Sequence, residues 1–164
     1  RALVIAVEIA GAQRVQELVA VRLGAPVDFA ILEQRRDNGE VSGDLIIGSV
    51  TGRLAVVVDD LISAGTTLLR AVQACRAAGA LSVAAFATHG VFAPGAERLL
   101  GPDGPDLLYV TDTLLPTRLA PLPGSAVKLV VLPASALFAE ALRRIGAGES
   151  VVALREMERR PPAR

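Results

Sequence analysis

Aromatic residues make up only 3% of the 164 residues and tryptophan is absent, which excludes the stacked-base platforms of single-strand nucleic-acid binders. One cysteine, Cys75, excludes an internal disulfide; flanked by apolar neighbours in a helical pattern, it reads as a small core residue. Charge of one sign is also lacking: Lys+Arg and Asp+Glu both number 17, for a formal net charge of zero. Nothing global therefore draws the chain to nucleic acid or an anionic membrane. No apolar run reaches the roughly 18 residues of a membrane span, and no signal-peptide pattern opens the chain. A cytoplasmic, reducing setting is the expectation. What is abundant is aliphatic: hydrophobic residues reach 52% and charged ones 21%, so Ala, Val, Leu and Ile must build one compact core. The opening Arg1 followed directly by Ala2–Val7 reads as the second part of something longer.

Apolar runs of strand length alternate with segments of helical period. Ala2–Val7, Val27–Leu32, Leu54–Val58, Ser82–Thr88, Leu107–Val110 and Val127–Leu132 lack polar alternation, as parallel strands covered on both faces do. Helices are expected over Ala12–Leu23, Thr66–Ala78 and Ala134–Ile145, each stopping at a glycine, with a shorter one over Pro94–Leu100. The fold class is α/β: a Rossmann-like, mainly parallel sheet with helices on both faces. Residues 1–154 form one domain, and 155–164 a charged C-terminal tail.

The stretch Leu54-Ala-Val-Val-Val-Asp-Asp-Leu-Ile-Ser-Ala-Gly-Thr-Thr67 carries the chemistry. A buried strand delivers two carboxylates, Asp59 and Asp60, to the edge of a sheet. A loop of small and hydroxylated residues (Ser63, Ala64, Gly65, Thr66, Thr67) then opens a helix. Free N–H groups at such a terminus attract phosphate, the hydroxyls add donors, and Gly65 lets the backbone come close. Twin acids beside a phosphate site suit a sugar phosphate, the acids taking ribose hydroxyls or Mg²⁺. The plainer alternative is that the acids end a strand and Ser63 caps a helix. His89, the one histidine, is open to a metal-ligand or base role, and equally to a structural one beside Gly90.

The Asp59–Thr67 string resembles the phosphoribosyl-binding signature of the type I phosphoribosyltransferase fold. Further segments are similar to the C-terminal half of the ribose-phosphate diphosphokinases, in the same order: Ala87-Thr-His-Gly-Val-Phe92, Val110-Thr-Asp-Thr-Leu114 and Leu137-Phe-Ala-Glu-Ala-Leu-Arg-Arg-Ile145 with Gly148-Glu-Ser-Val151. The resemblance spans Leu3 to Leu154. It implies an Mg²⁺-dependent enzyme that transfers diphosphate from ATP to ribose 5-phosphate, making phosphoribosyl diphosphate (PRPP) for nucleotide biosynthesis in a homo-oligomer.

Two loops depart from the family pattern. After the first strand the family usually reads Ser-Pro-Asp-Ala-Gly-Gly and then Lys-Arg, where this chain has Ala6-Val-Glu-Ile-Ala-Gly11 and then Gln13-Arg14. On the resemblance this loop holds diphosphate and metal, with Glu8 as metal ligand and Glu8 and Gly11 in the diphosphate loop, though Ala10 replaces a glycine and restricts the backbone. The second, Glu33-Gln-Arg-Arg36 continuing to Gly43, resembles the mobile catalytic loop. Arg36 is kept as the catalytic cation and a lysine is replaced by Gln34; losing a cation that acts in the transition state costs on the order of 3 kcal/mol. A solvated loop pair, Arg35 and Arg36 beside Asp37, is the alternative there. Gln13, Gln34 and Ala10 keep open a second function, a catalytically weakened regulatory homologue of the synthetase. A third, a PRPP-using phosphoribosyltransferase, fits the C-terminal segments less well.

Overall fold

β1 (Ala2–Ala6), β2 (Asp28–Asp37), β3 (Glu40–Ile47), β4 (Leu54–Ile62), β5 (Ser82–Gly90), β6 (Leu107–Thr111) and β7 (Lys128–Leu132) form one sheet in the order β3-β2-β1-β4-β5-β6-β7. The computed structural model describes residues 2–6, 15–17, 19–21, 24, 27–37, 40–114, 119 and 127–154. Every strand pairing is parallel except β2 with β3, so the expected mainly parallel sheet is present. From β1 the chain crosses to β2 on one side, and from β4 to β5 on the other. Right-handed crossovers in opposite directions place their connecting helices on opposite faces.

α1 (Thr66–Ala77) lies against β3, β4 and β5. Its apolar positions recur at helical spacing, and Leu68, Leu69, Ala71, Val72 and Cys75 are all buried. They meet Ala55 and Val57 of β4, Val83 and Ala85 of β5, and Ala30 and Leu32 of β2 in one core. Cys75 is a core residue as expected, and burial pushes its thiol up to about 11. α1 stops where Ala80 N–H donates to Cys75 O and Gly79 N–H to Arg76 O, a pair of bonds that requires the left-handed conformation of Gly79, at φ 87°. On the other face of the sheet Val56, Val58 and Phe86 are only half-buried, and Phe86 stacks on Tyr109 with ring centroids 4.3 Å apart.

Several expectations need correction. The Glu33–Gly43 segment is not a loop: it forms most of an antiparallel hairpin, with Gln34 opposite Asp44 and Asp37 opposite Glu40. Asn38-Gly39 between the last pair is a strong two-residue hairpin signal, passed over because the flanking strands are charged rather than apolar. β4 runs on to Ile62 and β5 to Gly90, since Leu61 pairs with His89 and Ile62 with Gly90. Asp59, Asp60 and His89 therefore lie within strands. The segment at 94–100 is a 3₁₀ helix over Ala96–Leu100. Of the first expected helix, residues 15–17 and 19–21 are helical, and the rest of Ala12–Leu23 lies outside the described residues, as does the 155–164 tail.

The last helix, α2 (Ser135–Gly146), continues through Gly146 instead of stopping before it. Its expected apolar stripe is present but faces outward: Leu137 is 49%, Phe138 55%, Ile145 64% and Leu142 69% exposed. The charged side is the more sheltered one. Arg144, its side chain 15% exposed, pairs with Glu140 at 2.7 Å and donates to Ser150 O. Hydrogen bonds from Arg143 and then Arg144 hold the Glu140 carboxyl down to about 2.

This inversion predicts a contrast in stability. Leu108→Ala, in a fully buried position, should cost about 3 kcal/mol. Leu142→Ala should change the unfolding free energy by less than about 0.5 kcal/mol. Urea unfolding followed by circular dichroism reads both.

Candidate active site

Strand order reverses its direction of growth between β1 and β4, and in open α/β sheets ligands bind beyond the carboxyl ends of strands at such a point. Ala6, the last residue of β1, pairs with Val58, one residue before Asp59. The paired acids thus stand at the crevice. Asp60 is exposed and Asp59 partly buried, and the Asp59 carboxylate accepts the Asp60 N–H at 2.9 Å. Burial is the main influence raising the Asp59 carboxyl above its ordinary value; a backbone hydrogen bond from Asp60 opposes it, and the Asp60 side chain adds to the rise. Among the described residues, no cation contributes to the Asp59 shift.

The following loop is built by its neighbours. Val91 and Phe92 N–H both donate to Ile62 O, and Ala93 N–H donates to Ser63 O, pinning the loop's start to the chain beyond β5. Gly65 precedes α1 in a left-handed conformation, φ 76° and ψ 4°. A β-carbon there would sit 2.6 Å from Leu99 Cδ1. Glycine is demanded by packing as well as by backbone conformation, a reason the sequence reading did not supply. No side chain caps the helix, which corrects the Ser63-cap alternative. The hydroxyls of Ser63, Thr66 and Thr67 make no hydrogen bonds among the described residues, and all three residues are exposed. The first-turn amides and three hydroxyls are left to serve an anion.

The other expected site residues are less closely placed. Glu8 and Gly11, with Ala10, Gln13 and Arg14, lie outside the described residues. Arg36 is in β2, which runs parallel to β1 with Ile31 level with Ala6. The β2–β3 hairpin therefore extends past the end of β1 by about 20 Å, on the same side of the sheet as Asp59 and Asp60. Among the described residues, no cluster of three His, Cys, Asp or Glu forms a ready metal cage. Asp59 and Asp60 do fit the one- or two-carboxylate share that Mg²⁺ takes when phosphate oxygens and water supply the rest.

Residues 38–155 match the family described as the phosphoribosyl synthetase-associated domain. The chain belongs to that family. It is 38% identical over 153 residues to the ribose-phosphate pyrophosphokinase of Pasteurella multocida, covering 93% of this chain and 47% of that enzyme. The corresponding enzyme of Bradyrhizobium diazoefficiens is 35% identical over 155 residues, covering 94% and 47%. The chain thus spans about half the length of these curated relatives. Among solved structures, phosphoribosylpyrophosphate synthetase from Mycobacterium smegmatis superposes with a TM-score of 0.73 at 27% identity, over 90% of this chain and 45% of that one. The family match takes in Asp59–Thr67, His89 and α2 and begins after Glu8, Gly11 and Arg36.

In this phosphoribosyl synthetase-associated domain, several structural residues escaped sequence reasoning. Arg76 donates to Pro102 O and Gly104 O and pairs with Asp106, fastening the loop before β6. The Asp112 carboxylate accepts Ala134 N–H at 2.7 Å, joining the end of β6 to the start of α2. Neither contact has a periodic sequence signal.

The burial of Asp59 generates a prediction with a definite sign. A carboxyl whose folded value lies above its unfolded 3.8 binds more protons when folded. Its contribution to stability then falls as pH rises through that window and stays low above it. Asp59→Asn, which keeps an acceptor for Asp60 N–H, should raise the thermal midpoint at about pH 7.5. The gain should shrink as pH falls toward about 4, read by melting curves across pH.

Proposed function

We propose that this chain is the pentose-phosphate-binding part of a ribose-phosphate diphosphokinase, with ribose 5-phosphate, ATP, Mg²⁺ and PRPP as its ligands. The uncapped helix terminus with its three unengaged hydroxyls, set beside two carboxylates at the strand switch, is the observation that carries the reading. On this reading the N–H groups of the loop and the Ser63, Thr66 and Thr67 hydroxyls hold the 5-phosphate. Asp60 accepts hydrogen bonds from ribose hydroxyls, and Asp59 lies deeper, where charge compensation from the ligand side returns most. Mg²⁺ would be held by these acids and by Glu8, and when bound it neutralises phosphate charge. The sugar's C1 hydroxyl attacks the β-phosphorus of ATP, breaking its bond to the bridging oxygen so that AMP leaves and the hydroxyl proton passes to solvent. Arg36 supplies positive charge to the transferring group, and positioning with charge neutralisation provides most of the acceleration. The names of the relatives support diphosphokinase chemistry over a base-using phosphoribosyltransferase, and a homo-oligomer accompanies the reading by family resemblance.

The second reading, a weakened homologue that binds but does not turn over, is favoured by one specific feature. Gln34 stands where the family has lysine, on the same strand as Arg36.

Calorimetry with ribose 5-phosphate should show saturable binding by the wild-type chain. Asp60→Asn should weaken it by about tenfold or more, the scale of a lost charge-assisted hydrogen bond. A Thr66→Val, Thr67→Val double variant should weaken binding of inorganic phosphate as well. Failure of the wild-type chain to bind the sugar phosphate would falsify the proposal. AMP release from ATP only with ribose 5-phosphate present favours the active enzyme over the weakened homologue.

A further inference from the structure

Two segments set apart by the sequence, Ala87–Phe92 and Val110–Leu114, supply no side chain to the phosphate cradle as described above, yet the fold ties them together. His89 Nδ1 lies 2.8 Å from Thr113 Oγ1, across 24 residues of sequence. Thr113 Oγ1 is in turn 2.8 Å from Thr111 Oγ1, and Thr111 Oγ1 donates to Thr88 O at 2.6 Å. A carbonyl oxygen only accepts. These contacts, His89 to Thr113, Thr113 to Thr111 and Thr111 to Thr88, each need a proton, and the two hydroxyls supply one apiece. The remaining proton must come from the ring. The order is therefore Nδ1–H to Thr113, Thr113 O–H to Thr111, Thr111 O–H to Thr88 O. Thr113 Oγ1 also lies 3.2 Å from Thr88 O, a longer branch that shares the same Thr113 proton and leaves none for Nδ1.

That order sets the tautomer. With Nδ1 protonated, the neutral ring carries its lone pair on Nε2. No protein group satisfies Nε2 among the described residues, and it is not sealed away as a buried orphan. Its location gives the lone pair a use. Asp59 pairs with Ala87 and Leu61 with His89 across β4 and β5, and residues two apart share a face. His89 and Asp59 are thus diagonal neighbours on one face at the carboxyl edge, with Cα atoms about 8 Å apart from strand spacing and rise.

We propose that His89 Nε2 is a further ligand contact of the site, accepting a hydrogen bond from a hydroxyl of the bound sugar phosphate, with Thr113 and Thr111 as positioning residues that hold the ring in the accepting tautomer. The inference rests on the pentose-phosphate reading above and adds to it a residue that reading does not use.

Because the chain holds one histidine, ¹⁵N-edited NMR of the imidazole reports on His89 without assignment. At about pH 8.5, where a free imidazole is neutral, the spectrum should show the Nδ1–H tautomer, and Thr113→Val should convert it to a mixture. Added ribose 5-phosphate should move the Nε2 resonance of the wild-type chain. His89→Ala should weaken calorimetric binding of ribose 5-phosphate by about fivefold, the size of one neutral hydrogen bond, and His89→Gln, which returns an acceptor near Nε2, should recover most of it. Binding that leaves the Nε2 resonance unmoved and the His89→Ala affinity unchanged overturns the inference alone, as does an Nε2–H tautomer in the wild-type chain. If the wild-type chain binds no ribose 5-phosphate, the pentose-phosphate reading itself is overturned and this contact falls with it.

Discussion

β4 and β5 remain paired past the two carboxylates, Leu61 with His89 and Ile62 with Gly90, and that added length holds Asp59 partly out of water. Without it the strand would end at Val58, and Asp59 would stand in solvent beside the already exposed Asp60. The same extension presents Ile62 O to Val91 and Phe92, and Ser63 O to Ala93, so the Ser63–Gly65 loop inherits its position from the strand pair. Gly65 seated on Leu99 then sets the direction in which α1 starts. One register thus places acids, loop and helix terminus together.

The second organising element is the sheet order. Because β1 and β4 are neighbours and their crossovers diverge, Asp59 stands at the strand switch, and the β2–β3 hairpin extends past the same edge. A hairpin rather than an unstructured loop carries Arg36, so its backbone is held by ladder hydrogen bonds, interrupted by a register shift between Arg35 and Arg36.

α2 shows where energy and pattern diverge. Its sequence has the apolar spacing of a core-facing helix, yet no described element covers the stripe. The Arg143–Glu149 pair lies largely in water, where such contacts contribute little, whereas the Glu140–Arg144 pair is partly sheltered. Attachment to the domain is local instead, through the two-residue link from β7 and the Asp112 bond to Ala134 N–H.

Aliphatic runs bounded by glycine were enough to read six strands, the α1 core stripe with Cys75, and the Asp59–Thr67 string, because strand and helix burial leave short-range periods in the chain. The β2–β3 hairpin was hidden because its strands are charged. The Asn38-Gly39 pair in the sequence was the available signal. Three-dimensional structure alone decided that Gly65 must yield to Leu99, that α2 turns its stripe outward, and that His89 meets Thr113. Each depends on contacts between residues far apart in sequence or on the absence of a covering element among the described residues, and neither property imprints a period on neighbouring residues.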